Sequence, residues 1–122
     1  MAGAVEGTKG AWGEECAAAY LRRHGYRILA RNYSCRFGEI DLIAEKDGVL
    51  LFVEVKLRTN LQYGAPREYV TVKKQEKLRT AALLYLSGRE LDVPARFDVA
   101  EVYTDVHRSA GKTRIRHIAN AF

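Results

Sequence analysis

A chain of 122 residues is long enough for one packed domain and too short for two. Hydrophobic residues make up 48% of it and charged residues 29%, which excludes a disordered chain, and no run is apolar enough for a signal peptide or a transmembrane helix. Cys16 and Cys35 lack the spacing of a zinc site or a disulfide framework. We therefore expect a single cytoplasmic domain, residues 1–122, that binds no membrane.

The charge of the chain favours a polyanionic partner. The net charge is +5, and between Val106 and Phe122 every charged side chain is basic, namely Arg108, Lys112, Arg114 and Arg116. Such an excess attracts phosphate backbones, although it also serves solubility alone.

The first half of the chain predicts one helix followed by strands. We expect residues 1–9 to form a flexible N-terminus and Gly10–His24 to form an amphipathic helix that Gly25 ends. Tyr26–Tyr33 is rich in residues that favour strands. Phe37–Glu45 alternates, which predicts that one face carries Ile40, Leu42 and Ala44 and the other carries Glu39, Asp41 and Ile43.

Asp47-Gly48 is typical of a hairpin turn, and the almost continuously apolar Val49–Leu57 predicts a central strand buried on both faces. Arg58–Tyr69 predicts a loop over the site. Thereafter the pattern predicts a helix from an N-cap at Thr71 to about Leu86, and strands over Ala95–Thr104 and Thr113–Ala119. The order of helix, three strands, helix and two strands predicts an α/β fold with one mixed sheet and a helix on each face.

The main chemical signal is a pair of charges in the most apolar strand. Period-two alternation places Glu54 and Lys56 on one face, and the hairpin brings Asp41 alongside them, with Glu39 nearby. Carboxylates that converge repel each other unless a cation joins them, and hard divalent ions prefer such oxygens. We therefore expect a site for Mg²⁺ or Mn²⁺. The alternative is an internal salt bridge without chemistry.

The two helices add further candidates. On the helical wheel of the first helix, Glu14 can reach the site, whereas Glu15 faces water. In the second helix Gln75 falls within the inner stripe and Lys74 lies on its border, so that a functional and a structural role are equally supported for both.

The motifs resemble those of the UPF0102 (YraN) family. They are Gly38-Glu39-Ile40-Asp41-Leu42-Ile43-Ala44, Phe52-Val53-Glu54-Val55-Lys56 with Arg58, and Arg96-Phe97-Asp98-Val99. The similarity extends from about Gly10 to Tyr103 and includes the Gly13-Glu14 start of the helix and Lys74. That family is similar in turn to archaeal Holliday-junction resolvases and restriction endonucleases, which are PD-(D/E)xK nucleases.

The resemblance implies a restriction-endonuclease-like fold and metal-dependent hydrolysis of phosphodiester bonds, with branched DNA as a candidate substrate. On the matching positions it implies catalytic roles for Glu14, Asp41, Glu54 and Lys56. Asp41, Glu54, Glu14 and the Val55 carbonyl would hold the metal, and Lys56 would position or deprotonate the attacking water. Arg58, Lys74 and Gln75 are the candidate nucleic-acid-binding residues, with Arg58 as a phosphate clamp.

Two other functions fit the same residues. A module that binds nucleic acid without cleaving it would explain the basic C-terminal segment, and an interaction protein would use Glu54 and Lys56 as a salt bridge only. The sequence does not select DNA over RNA. Because resolvases work as dimers, the resemblance also implies a homodimer.

Overall fold

The computed structural model describes the backbone of residues 2–62 and 70–122 and the side chains of residues 10–61 and 70–122. Within these ranges the elements are α1 (Ala2–Arg23), β1 (Arg27–Cys35), β2 (Gly38–Lys46), β3 (Val49–Thr59), a 3-10 turn (Asn60–Gln62), α2 (Val72–Gly88), β4 (Ala95–Thr104), a second 3-10 turn (Ala110–Lys112) and β5 (Arg114–Ile118). The predicted α/β class and the predicted order of the elements are confirmed.

The strands that the structure describes form one mixed sheet in the order β1-β2-β3-β4-β5. Only the β3–β4 pair is parallel in this described sheet, and α2 lies in the connection between these two strands, as a parallel pair requires. Strand β3 is central, as predicted. The predicted burial on both faces is confirmed for Leu50–Glu54 but is wrong at Leu57, which is exposed. Neither α1 nor α2, as far as the structure describes them, has the length and apolarity that crossing a bilayer requires.

Each helix covers one face of the sheet. On the first face, Ala17, Ala18 and Leu21 of α1 pack against a cluster formed by Leu42, Ala44, Leu51, Val53, Ala100 and Val102. On the second face, the buried side of α2 packs against Ile40, Ile43, Leu50 and Phe52. The predicted arrangement of one sheet between two helices is thus confirmed.

Several predicted boundaries differ from the structure, all but one of them by one or two residues. Helix α1 begins at Ala2 rather than Gly10, while the mobility expected of residues 1–9 stays a prediction. Strand β3 continues to Thr59, past the start of the predicted loop at Arg58, because its last residues pair in parallel with β4. In the rest of that predicted loop, residues 60–62 form the first 3-10 turn, and residues 63–69 lie outside the described residues.

The predicted alternation of β2 is wrong at Ile40, which packs on the α2 face with Ile43 instead of on the α1 face with Leu42. The ladder with β1 explains the change. Asn32 has a φ of +51°, in the left-handed region that asparagine tolerates better than most residues. The residues on either side of Asn32 in β1 therefore point to opposite faces of the sheet. Their partners in β2, which lie on either side of Asp41, do the same.

Candidate metal centre

The candidate site lies where β2 and β3 separate. Their ladder ends at the pair Leu42 and Val53, whereas β3 continues beyond this point. The N–H of Val55 consequently has no partner strand on this side and donates instead to Oδ2 of Asp41 at 2.8 Å. The separation of the strands thus fixes the Asp41 carboxylate beside the middle of the central strand.

Glu54 is the second carboxylate of the site, and only 6% of its side chain is exposed. Its Oε2 lies 2.9 Å from Nζ of Lys74 and 3.7 Å from Nζ of Lys56. The predicted shared face of Glu54 and Lys56 is therefore confirmed. Lys74 sits in the first turn of α2, where its backbone N–H donates to the Thr71 hydroxyl that caps the helix.

The acids of α1 are placed as the helical wheel predicts. Glu14 is buried and accepts a hydrogen bond of 2.9 Å from the Asn32 amide, next to the site. Glu15 is exposed and forms ion pairs with Arg31 at 2.7 Å and Arg22 at 3.8 Å. The left-handed conformation of Asn32 thus has a consequence for the site, because it directs an amide donor to Glu14.

Two open hollows meet at Asp41 and Val55. The hollow on the α1 side has a volume of about 430 Å³ and includes Glu14 in its wall. The hollow on the α2 side has a volume of about 480 Å³ and includes Glu54, Lys74 and also Glu39. Asp41 borders both hollows, so a group bound there would be accessible from either side of the opening between β2 and β3.

Burial raises the pKa of Asp41 to about 7. The nearby carboxylates of Glu54 and Glu14 raise this pKa as well, while the hydrogen bond from the Val55 N–H partly opposes them. The hydrogen bond with Glu54 raises the pKa of Lys74, which stays a cation. The site therefore combines repelling carboxylates with a lysine that partly neutralises them.

We expect Asp41→Asn to raise the free energy of unfolding at pH 8 by up to about 4 kcal/mol, since the pKa of Asp41 rises from 3.8 to about 7 on folding and a difference of one in pKa corresponds to about 1.4 kcal/mol. Because the folded state raises the pKa of Asp41, the stability of the wild type falls as pH rises from about 4 to about 7. Asparagine loses no proton in this range. The variant should therefore be no more stable than the wild type at pH 4, and its added stability should be complete above pH 7.

Urea unfolding at pH 4, 6 and 8 in the presence of a chelator measures this gain. Asp92→Asn, in an exposed segment, is the matched control and should change stability little at any pH. An Asp41→Asn variant that is no more stable than the wild type at pH 8 would contradict the cost that we assign to burying the Asp41 carboxylate beside other carboxylates.

The donor set suits a hard divalent cation. Asp41 and Glu54 offer carboxylate oxygens, and the Val55 carbonyl lies on the same stretch of β3. In the described part of the chain, no group of three or more Asp, Glu, His or Cys side chains could hold a metal ion by itself. Glu14 is held by Asn32, so it fits the part of a ligand acting through water.

The structure places two predicted nucleic-acid-binding residues in structural contacts. Nε of Arg58 lies 2.9 Å from Oε2 of the fully buried Glu101, and only 9% of the Arg58 side chain is exposed. The predicted phosphate contact would require this ion pair to open. The amide of Gln75 donates to the Val70 carbonyl at 2.9 Å, just before α2 begins.

Another buried acid was not singled out from the sequence as a structural centre. Asp98 is fully buried and accepts hydrogen bonds from Arg96, from the Asn120 N–H and from the His117 ring, the last at 2.6 Å. These contacts fasten the C-terminal residues to β4. The signal in the sequence was the position of Asp98 in an alternating apolar strand, but two of its partners, His117 and Asn120, come from residues far along the chain.

Comparison with known proteins now identifies the family. A family model described as "Uncharacterised protein family UPF0102" matches residues 13–102. A UPF0102 protein of Symbiobacterium thermophilum is 52% identical over 112 residues, which cover 90% of this chain and 92% of that protein. A UPF0102 protein of Syntrophomonas wolfei is 47% identical over 114 residues, 93% of this chain and 96% of its own length. The residues around the opening between β2 and β3 lie inside the matched range, and the chain belongs to the UPF0102 family.

Proposed function

We propose that the chain is a metal-dependent nuclease that hydrolyses phosphodiester bonds, with Asp41 and Glu54 as ligands of Mg²⁺ or Mn²⁺. One observation carries the proposal: two carboxylates and two lysines meet where β2 and β3 separate, in the middle of the sheet. Burying such charges is costly when packing is their only purpose. A raised carboxyl pKa in a pocket that also holds charged neighbours is typical of functional sites.

The chain's own residues divide the chemistry between them. Lys56 positions or deprotonates the attacking water, because its Nζ reaches the edge of the site while 31% of its side chain stays exposed. Lys74 holds Glu54 in place and offers positive charge to a phosphate. Glu14, with the hydrogen bond that it accepts from Asn32, forms part of the wall of the site on the α1 side. A divalent ion there would supply charge that stabilises the phosphoryl oxygens and makes water more acidic.

The order of elements and the position of the site also support the restriction-endonuclease-like architecture that the motifs imply. With it we propose DNA, including branched DNA, as the substrate and a homodimer as the working form. Cys16 and Cys35 are both free thiols, which fits a reducing cytoplasm.

A binding module without catalysis is the second candidate. It is favoured by the ion pairs of Glu54 with Lys56 and Lys74, which neutralise this carboxylate without a metal. On this alternative the chain would bind nucleic acid and leave it intact. An interaction protein would do neither.

A cleavage screen separates these functions. Purified protein is incubated with linear, nicked, single-stranded and branched DNA and with RNA, in Mg²⁺, in Mn²⁺ and in a chelator. We expect cleavage that requires the metal. Binding without cleavage of any substrate would favour the binding module, and the absence of both binding and calorimetric uptake of Mn²⁺ would favour the interaction protein.

Binding should depend steeply on salt. With about four phosphate contacts from the basic C-terminal segment, the affinity for duplex DNA is expected to fall roughly a hundredfold between about 50 and about 200 mM salt. Fluorescence anisotropy of a labelled duplex in a chelator measures the slope. An affinity that is unchanged over this range would remove the phosphate contacts from the proposal.

A further inference from the structure

Asn32 of β1 lies level with the candidate metal centre. In the ladder between β1 and β2, Asn32 is opposite Asp41, between the pairs that Arg31 and Tyr33 form with β2. On the other side of β2, Asp41 is level with Glu54, one step beyond the last pair of the ladder with β3. Asn32, Asp41 and Glu54 thus form one row across three neighbouring strands.

The side chain of Asn32 contacts α1. Its Nδ2 donates to Oε1 of Glu14 at 2.9 Å, and the preceding residue, Arg31, forms an ion pair with Glu15 at 2.7 Å. In a regular strand, consecutive side chains point to opposite faces of the sheet. Here two consecutive residues of β1 hold two consecutive acids of α1. The φ of Asn32, +51°, makes this possible because it departs from strand geometry.

The two partners of this hydrogen bond differ in burial. Only 9% of Glu14 is exposed, whereas Asn32 lies on the surface. Within the described residues, Asn32 is the one group that donates a hydrogen bond to the Glu14 carboxylate. Its contact is therefore made inward, at an acid in the wall of the hollow on the α1 side. Residues in sparsely populated backbone conformations cluster at functional sites.

Tolerance of the left-handed backbone does not by itself account for this contact. Asn120, near the C-terminus, has the same φ of +51°, and there the recorded contact with Asp98 comes from the backbone N–H. Asparagine is suited to both positions because its short polar side chain tolerates the left-handed region. At Asn32, the side-chain amide in addition fixes one oxygen of Glu14, so that Oε2 is the oxygen left for water.

We propose that Asn32 is a positioning residue of the metal centre, whose amide holds the Glu14 carboxylate where it can accept a hydrogen bond from water beside Asp41. The proposal rests on the proposed function, in which Glu14 acts on the divalent ion through water. Groups that orient a ligand in this way contribute to metal affinity and to activity, although they touch neither the metal nor the substrate.

Asn32→Gly separates the amide from the backbone, because glycine adopts a φ of +51° without strain but has no side chain. Calorimetric titration with Mn²⁺, without nucleic acid, measures the metal affinity. We expect this affinity to be roughly tenfold weaker than in the wild type, as is usual when such a partner is lost. The rate of single-turnover cleavage should fall by a similar factor, whereas binding of nucleic acid in a chelator should not change.

Asn120→Gly is the matched control, since it makes the same chemical change at the same φ outside the site. It should leave Mn²⁺ affinity and cleavage at their wild-type values. Both asparagines are exposed, so neither substitution leaves a cavity in the core. Urea unfolding verifies that both variants are folded.

A double-mutant cycle tests whether Asn32 acts through Glu14. Glu14→Gln keeps the shape of the side chain but removes the carboxylate, and by itself it should weaken the affinity for Mn²⁺. Adding Asn32→Gly should then weaken this affinity no further, because the amide has no carboxylate left to position. Losses that simply add would show that Asn32 acts independently of Glu14 and would overturn the proposal.

The remaining outcomes separate Asn32 from the proposed function. If the wild type binds Mn²⁺ and Asn32→Gly binds it equally well, the role of Asn32 is refuted and the metal centre stands. If the wild type takes up no Mn²⁺, both are refuted. Weaker uptake by Asn32→Gly, when the wild type cleaves no substrate, supports the role of Asn32 and refutes the nuclease. Weaker binding of nucleic acid in a chelator, at unchanged Mn²⁺ affinity, would overturn the proposal in favour of a direct contact between Asn32 and the substrate.

Discussion

Lys56→Ala is expected to lower the rate of metal-dependent cleavage by roughly a hundredfold or more, the usual contribution of a group that transfers a proton to or from the attacking water. Binding of nucleic acid should stay nearly unchanged, because a single lysine adds little to an affinity that many charges share. Single-turnover cleavage and anisotropy in a chelator measure the two effects separately.

Lys73→Ala is the matched control, since Lys73 is an exposed lysine on the same helix as Lys74. It should cleave like the wild type. Equal cleavage by Lys56→Ala and the wild type would refute the role of Lys56. If Lys74→Ala lost cleavage in that case, the catalytic lysine would be Lys74, whose Nζ lies closer to Glu54 than that of Lys56 does.

Arg58→Ala is expected to destabilise the fold by about 3–5 kcal/mol, because it leaves the fully buried Glu101 charge without its ion-pair partner. A domain of this size is stable by only about 5–15 kcal/mol in total, so the variant should be close to unfolding. Replacing both partners, as Arg58→Met with Glu101→Leu, should recover most of the loss. Urea unfolding measures each variant.

Arg27→Ala serves as the control for this prediction. It breaks an ion pair with Glu45 at 2.6 Å that is mostly in water, and we expect a loss of less than about 1 kcal/mol. If Arg58→Ala instead left stability unchanged and weakened the binding of nucleic acid, Arg58 would be the phosphate clamp that the motif suggests and its ion pair would be dispensable.

The fold was largely predictable because each element carries its own local signal. Val49–Thr59 is apolar enough to be central, Asp47-Gly48 supports a hairpin, and Thr71 does cap α2. The same local rules placed Glu54 and Lys56 on one face and separated Glu14 from Glu15. Hydrophobic periodicity and helix capping depend on residues that are close in sequence, so both can be recognised from one sequence.

The details that could not be predicted depend on contacts between distant residues. The backbone of Asn32 changes the face of Ile40 through the ladder between two strands, and no local pattern shows this. The ion pair of Arg58 likewise depends on which residue of β4 lies alongside it, which makes a phosphate clamp and a buried partner of Glu101 indistinguishable in sequence. For the same reason, the sequence does not decide between a functional and a structural role for Lys74.

The proposed role of Asp41 and Glu54 as the metal ligands of a nuclease is tested by the rate of cleavage by Glu54→Gln. Glu15→Gln makes the same chemical change at an exposed position of α1 and is the matched comparison. On a substrate that the wild type cuts in Mn²⁺, we predict that Glu15→Gln cuts at the same rate and that Glu54→Gln falls to the background measured in a chelator. Cleavage by Glu54→Gln at the wild-type rate would contradict this role.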